Sequence, residues 1–316
     1  MANLSSIKNP YLISYHGHTV DRQDANRHIF WILMELGTKG TLWDLLAKKV
    51  DKKINFTEKE IVDIGKKLAK ALLYIHEKGQ IHCDFKIENI LCFPDNEYKL
   101  CDFGSVNTFD FDFKTIDPEK MYQYEEIFEK QTTLMYRPPE MCDPYLGYKV
   151  NSKVDLWMLG CVLFTLMFFK HPFAESSKLS ITSASFRYPV DNIYSLDMEI
   201  IVRNLLTPNP DIRPDASEVI SWFEKMEWRK GEDVKSQTQM LELNPMALKI
   251  SMDHNAKHLV MKTGKYRKYS PDIAARNRKM SQIKKNKTSS NVFEEFTNNI
   301  RHSNPTKKKK SGKEFF

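Results

Sequence analysis

Apolar positions recur with two different periods over the first 228 residues. Residues 11–18 and 28–35 are short runs rich in aromatic and aliphatic side chains. The polar stretch Asp21 to Arg27 separates them, so the pattern predicts two strands and a connection. After Gly37-Thr38-Lys39-Gly40 a short helix is expected over Thr41–Lys48. Thr57 and Glu60 then form a capping box, in which hydroxyl and carboxylate satisfy free N–H groups at a helix start. Ile61, Ile64, Leu68, Leu72 and Ile75 follow at helical spacing, and Gly79 supplies the stop. Residues 90–93, 94–96 and 97–100 read as strand, turn and strand. The stretch Lys153–Gly160 opens a helix apolar nearly all round, which has no room for a solvent face. Its apolar run, Leu156–Phe169, is too short to span a bilayer. Asp215–Glu224 is the last expected helix of this part.

Beyond Trp228 the aliphatic period fades and Asn, Ser, Lys and Thr dominate, which predicts a mostly disordered tail. Ser270–Lys287 is the one stretch there that can form a short basic helix, with Ile273, Met280 and Ile283 as a thin stripe. Charge sharpens this division. Residues 246–316 hold 18 Lys and Arg against 5 Asp and Glu, a net of +13. Because the whole chain carries +7, residues 1–245 carry −6. The tail, ending in Lys307–Lys310, therefore suits an anionic membrane surface. Nucleic acid is the weaker reading, because few aromatics interleave with the charge. A 41% hydrophobic content is ample for a core over 316 residues. The five cysteines form no C-x-x-C pair, which argues against a zinc module and fits a reducing, cytoplasmic setting. The first residues show no secretory signal pattern.

The chemistry concentrates between residues 81 and 104. Asp84 lies two residues before Lys86 and five before Asn89, and Asp102 follows Asn89 by thirteen. Phosphoryl transfer needs a carboxylate to accept the proton of the attacking hydroxyl, a cation on the γ-phosphate, and oxygen ligands for Mg²⁺. The hairpin at 90–100 sets Asn89 at one end and Asp102 at the other, so both can face one metal. His82-Cys83-Asp84 through Leu91, followed by Asp102-Phe103-Gly104, resembles the catalytic loop and Asp-Phe-Gly turn of a protein kinase. That resemblance implies ATP and Mg²⁺ as cofactors and a protein substrate. It makes Asp84 the base, Lys86 the γ-phosphate cation, and Asn89 and Asp102 the metal ligands.

Further motifs follow in family order. Thr132 to Glu140 resembles an activation segment closing on A-P-E, with Pro138 in place of Ala. Thr133 matches the threonine that, in Ser/Thr-specific kinases, bonds the catalytic Asp and Lys. Asp155-Leu156-Trp157 resembles the D-x-W helix whose carboxylate bonds catalytic-loop N–H groups, and Arg213 matches the arginine that pairs with Glu140. By the same resemblance Met34 is the gatekeeper, the Glu35 carbonyl and Gly37 N–H hold adenine, and Leu91 joins the nucleotide-binding residues. Without the family, those hinge residues are an apolar strand ending in a turn. The expected fold is α+β and protein-kinase-like. Residues 1–37 form a partial small lobe and hinge, 38–228 an α-helical large lobe, and 229–316 a basic, mostly disordered tail.

Tyr98–Ser105, Thr132–Met141, Asp155–Cys161 and His171–Ser176 resemble the Numb-associated (adaptor-associated/Ark-Prk) kinases. This implies Ser/Thr phosphorylation in endocytic and actin regulation, with endocytic adaptor proteins as partners and a cytoplasmic enzyme peripheral at membranes. Two departures stand out. Cys83 replaces the arginine that receives an activation-segment phosphate. The sequence also holds no G-x-G-x-x-G and no V-A-I-K lysine. Two expectations follow: an active kinase whose start lies further upstream, or a pseudokinase-like binding module.

Overall fold

The computed structural model describes residues 9–22, 27–174 and 177–228. All of them belong to one compact unit, Met1–His258. The basic tail, including the Ser270–Lys287 stretch and Lys307–Lys310, lies outside the described residues.

Strand β1, Tyr15–Arg22, pairs antiparallel with β2, His28–Met34. The expected first strand, 11–18, is thereby divided. Leu12 and Ile13 are buried against the helical body instead, where Ile13 N–H donates to Leu100 O at 2.9 Å and Leu100 N–H to Tyr11 O at 2.9 Å. An apolar run says that a segment will be extended. It does not say which neighbour will complete its hydrogen bonds. In β2 successive side chains alternate between faces, yet Phe30 and Trp31 are both 59% exposed, so neither face of the ribbon is covered by described residues.

The turn after β2 leads to α1, Leu42–Lys52, started by a Thr41/Asp44 capping box. It runs one turn past the expected end and closes at Lys53 in the left-handed conformation (φ 55°). Helix α2, Glu58–His76, begins at the Thr57/Glu60 box and buries Ile61, Ile64, Leu68, Leu72 and Ile75 as their spacing predicts. Gly65 lies inside it. A Cβ there would come within 2.7 Å of Phe223, so this glycine lets two helices approach and is no phosphate loop.

Strands β3, Ile90–Cys92, and β4, Tyr98–Leu100, form the expected hairpin. Next come β5, Phe111–Asp112, then helices α3, Pro118–Gln131, and α4, Pro139–Cys142. Strand β6, Lys149–Val150, pairs with β5. Helix α5, Lys153–Phe168, is buried along nearly its whole length. Helices α6, Lys178–Thr182, α7, Leu196–Leu205, and α8, Ala216–Trp228, complete the body. The last begins one residue after the expected Asp215, which stands before it as cap and accepts the Glu218 N–H at 2.9 Å. No helix among the described residues is long and apolar enough to cross a membrane.

Arg213 fastens several of these pieces together. It is 1% exposed and its five N–H groups all find acceptors. They go to Glu140 Oε1 and Oε2 at 2.7 and 2.9 Å, and to the carbonyls of Thr207, Lys153 and Pro208. Its guanidinium also lies over the Trp157 ring, 5.3 Å from the centroid. Replacing Arg213 by Met leaves the fully buried Glu140 carboxylate without its cation. Such a loss costs about 3–5 kcal/mol. The variant is expected to unfold at clearly lower urea concentration; a midpoint equal to the parent's would refute this role.

Candidate active site

The site is built where α2 ends and the β3–β4 hairpin begins. Helix α5 sends Asp155, fully buried, under the loop between them. Its Oδ2 accepts the His82 N–H at 2.8 Å and its Oδ1 the Cys83 N–H at 3.0 Å. His76 Nε2, from the end of α2, lies 2.8 Å from Oδ2. Pointing two successive N–H groups at one carboxylate requires an unusual turn, and Cys83 adopts the left-handed conformation at φ 66°. The Cys83 thiol is buried, and burial raises its pKa. His82 is likewise buried, and burial holds its pKa low. The neutral ring then donates from Nε2 to the Cys101 carbonyl at 3.0 Å, with Phe103 packed 5.5 Å away.

This turn delivers Asp84 to a half-buried position in which both carboxylate oxygens are engaged. Thr133 Oγ1 donates to Oδ1 at 2.8 Å, and Lys86 Nζ to Oδ2 at 2.6 Å. Lys86 also reaches Thr133 Oγ1 at 3.0 Å, which closes a triangle. Asn89 Nδ2 donates to the Asp84 carbonyl at 2.8 Å and to Oδ2 at 3.2 Å. The structure therefore brings together Asp84, Lys86, Asn89 and Thr133. Asp102 stands one hairpin away, since Cys101 N–H donates to Asn89 O at 2.9 Å. It is exposed and left-handed (φ 62°), and its Oδ1 accepts only a long 3.3 Å bond from Gly104 N–H.

The donor set suits Mg²⁺. Asn89 commits its amide nitrogen to Asp84 and so keeps an oxygen to offer, while Asp102 offers a carboxylate. Two hard oxygen donors, with waters and phosphate oxygens completing the shell, match the preference of that ion. Glu35 and Gly37, expected at the hinge, lie on the turn after β2. Leu91 stands directly beneath Gly37, where an added Cβ would come within 3.1 Å of its side chain.

Helix α3 carries no expectation from the sequence, yet it organises the activation segment. Phe111 stacks on Tyr124 at 4.3 Å and Tyr124 on Phe128 at 6.1 Å, while Phe109 and Phe113 pack edge-on against these three rings. Thr132, capping the end of α3, receives the Arg137 Nε–H at 2.7 Å, immediately before Thr133. Asp117-Pro118-Glu119, a cap residue followed by proline at the first helical position, is the signal that would have found it.

A carboxylate clasped between a lysine and a threonine, beside an amide and a second carboxylate, defines a phosphotransferase site of protein-kinase type. The protein kinase domain matches residues 1–223, and the chain belongs to the protein kinase family. Its similar proteins include a probable serine/threonine-protein kinase of Dictyostelium discoideum, 34% identical over 62% of this chain and 18% of that protein. Actin-regulating kinase 1 of Saccharomyces cerevisiae is 32% identical over 67% of this chain and 33% of its own length. A second probable serine/threonine-protein kinase of Dictyostelium discoideum is 31% identical over 69% and 27%. The matched part thus spans a third or less of each of these relatives.

The Thr133 hydroxyl donates its proton to Asp84 and accepts from Lys86, so it ties the two side chains together. Thr133→Val is expected to lower the rate of phosphoryl transfer by about tenfold or more. The KM for ATP should stay within about threefold, and Thr133→Ser should restore the rate. Equal rates in parent and valine variant would show that the triangle does not matter.

Proposed function

We propose that this chain carries the catalytic machinery of a serine/threonine protein kinase, which transfers the γ-phosphoryl group of ATP to a protein hydroxyl. The observation that carries the reading is the closed Asp84–Lys86–Thr133 triangle. In it Asp84 Oδ1 accepts one hydrogen bond and keeps a lone pair, with which it would orient the substrate hydroxyl and take its proton as the hydroxyl oxygen attacks phosphorus. Lys86 is placed to balance charge on the transferring oxygens. Asn89 and Asp102 would hold Mg²⁺, which when bound neutralises phosphate charge. Glu35, Gly37 and Leu91 would receive the base.

The finer reading is a Numb-associated kinase acting in endocytic or actin regulation. The motif resemblance supports it, and so does likeness to a yeast protein named for actin regulation. Endocytic adaptor proteins are then the proposed partners. The basic tail supplies a contact with anionic membrane from the cytoplasm. A second reading is a binding module of low activity.

Incubating the purified chain with Mg²⁺-ATP and a degenerate Ser/Thr peptide library separates these readings. The kinase reading expects phosphopeptide product that disappears with EDTA. Asp84→Asn should lower turnover by about 10²–10⁴-fold. Nucleotide binding without product would move the chain to the binding-module reading. Undiminished turnover in Asp84→Asn would remove the base from the assignment.

A further inference from the structure

Leu91 and Lys99 are partners across the β3–β4 ladder. Residues directly opposite in an antiparallel pair project from the same face. Both side chains therefore rise from one side of the hairpin, and both end on the turn after β2. Leu91 packs against Gly37, and Lys99 Nζ donates to Glu35 Oε1 at 2.6 Å. The ion pair is sheltered, with side-chain exposures of 14% for Lys99 and 25% for Glu35. The ammonium also sits 4.9 Å over the Phe93 ring.

Glu35 is held on its other side as well. Its Oε2 accepts the Ser14 N–H at 3.2 Å, and its own N–H donates to Ser14 O at 2.9 Å. Downstream, Lys39 N–H donates to Cys92 O at 3.1 Å and Cys92 N–H to Gly40 O at 2.8 Å. These contacts fix the turn at both ends. Among the described residues nothing is hydrogen-bonded to the Glu35 carbonyl or to the Gly37 N–H. An acceptor and a donor two residues apart, on a backbone tied at both ends, suit the edge of a purine. Burial would raise the Glu35 pKa, but the contacts with Lys99 and Ser14 outweigh it and lower it from the usual glutamate value.

We infer that Lys99, acting through Glu35, is a positioning residue for the nucleotide base: it fixes the hinge backbone that binds adenine and so sets ATP affinity without touching the phosphates. This rests on the reading of Glu35 and Gly37 as the adenine-binding residues. It assigns Lys99 a part that the motif pattern does not give it. The bland alternative is a salt bridge that merely stabilises the fold.

The test compares the full chain with Lys99→Met, which keeps the aliphatic stem, and Lys99→Arg, which keeps the charge. Displacement of a fluorescent ATP analogue would report binding of Mg²⁺-ATP, adenosine and Mg²⁺-tripolyphosphate. For Lys99→Met, affinity for ATP and for adenosine is expected to fall about fivefold to tenfold, an effect of 1.0–1.4 kcal/mol at about 1.4 kcal/mol per decade. Tripolyphosphate binding and turnover at saturating ATP should stay within about twofold, and Lys99→Arg should bind all three like the parent. Equal adenosine affinity in parent and Lys99→Met would overturn the inference, as would a parallel loss of tripolyphosphate binding. If Lys99→Met fails to fold, Lys99→Gln replaces it under the same criteria. Failure of the parent to bind ATP or adenosine would instead overturn the adenine reading of the hinge.

Discussion

A single carboxylate sets the shape of the catalytic loop. Asp155 is fully buried, a position that is costly for a charge unless several donors meet it. Here two consecutive backbone N–H groups and an imidazole do so. The donors are drawn from the end of α2 and the loop after it, so meeting Asp155 forces the chain to reverse at Cys83. Once reversed, the next residue, Asp84, reaches its half-buried position with Lys86 and Asn89 close behind. The placing of the reactive groups is thus a consequence of a buried electrostatic demand.

A second buried charge does the same for the end of the activation segment. Glu140 and Arg213 are almost wholly inaccessible and fully hydrogen-bonded, so neither can move without leaving the other stranded. Their pairing fixes α4, and through Arg137 and Thr132 the constraint extends to Thr133. Asp155 and Glu140 together place the three members of the triangle from two directions: the loop brings Asp84 and Lys86, and the segment brings Thr133.

Much of this was legible because the residues carrying it are chemically unusual where they sit. A lone acid in an apolar helix, as at Asp155, announces a partner. The capping boxes at Thr41 and Thr57 and the stripe from Ile61 to Ile75 encode α1 and α2 in local chemistry, although the Asp44 partner of Thr41 becomes evident only in the structure. Three things were hidden. Residues 11–18 read as one strand, yet Leu12 and Ile13 find cover on the helical body while β1 starts at Tyr15 and runs into Asp21 and Arg22 of the expected connection. Helix α3 has few aliphatic residues and many acids, so its period of Met121, Tyr124 and Phe128 is easily lost among charges. Lys99 and His76 look like ordinary surface residues until the fold brings Glu35 and Asp155 to them. Long-range pairs leave no mark in local periodicity.

The ring cluster around Phe111 and Tyr124 has a consequence for control. Where an arginine–phosphate pair orders such a segment, a phosphatase or high salt can release it, because the attraction is covalently installed and screened by ions. Here Cys83 stands where the family's phosphate-receiving arginine would precede Asp84, and interlocking rings pack the segment. Apolar packing is not screened by ions and weakens on cooling. The order of this segment is therefore a thermal property of the chain itself. A cell that needs to govern it has more purchase through the protein's abundance or whereabouts than through a switch at that position.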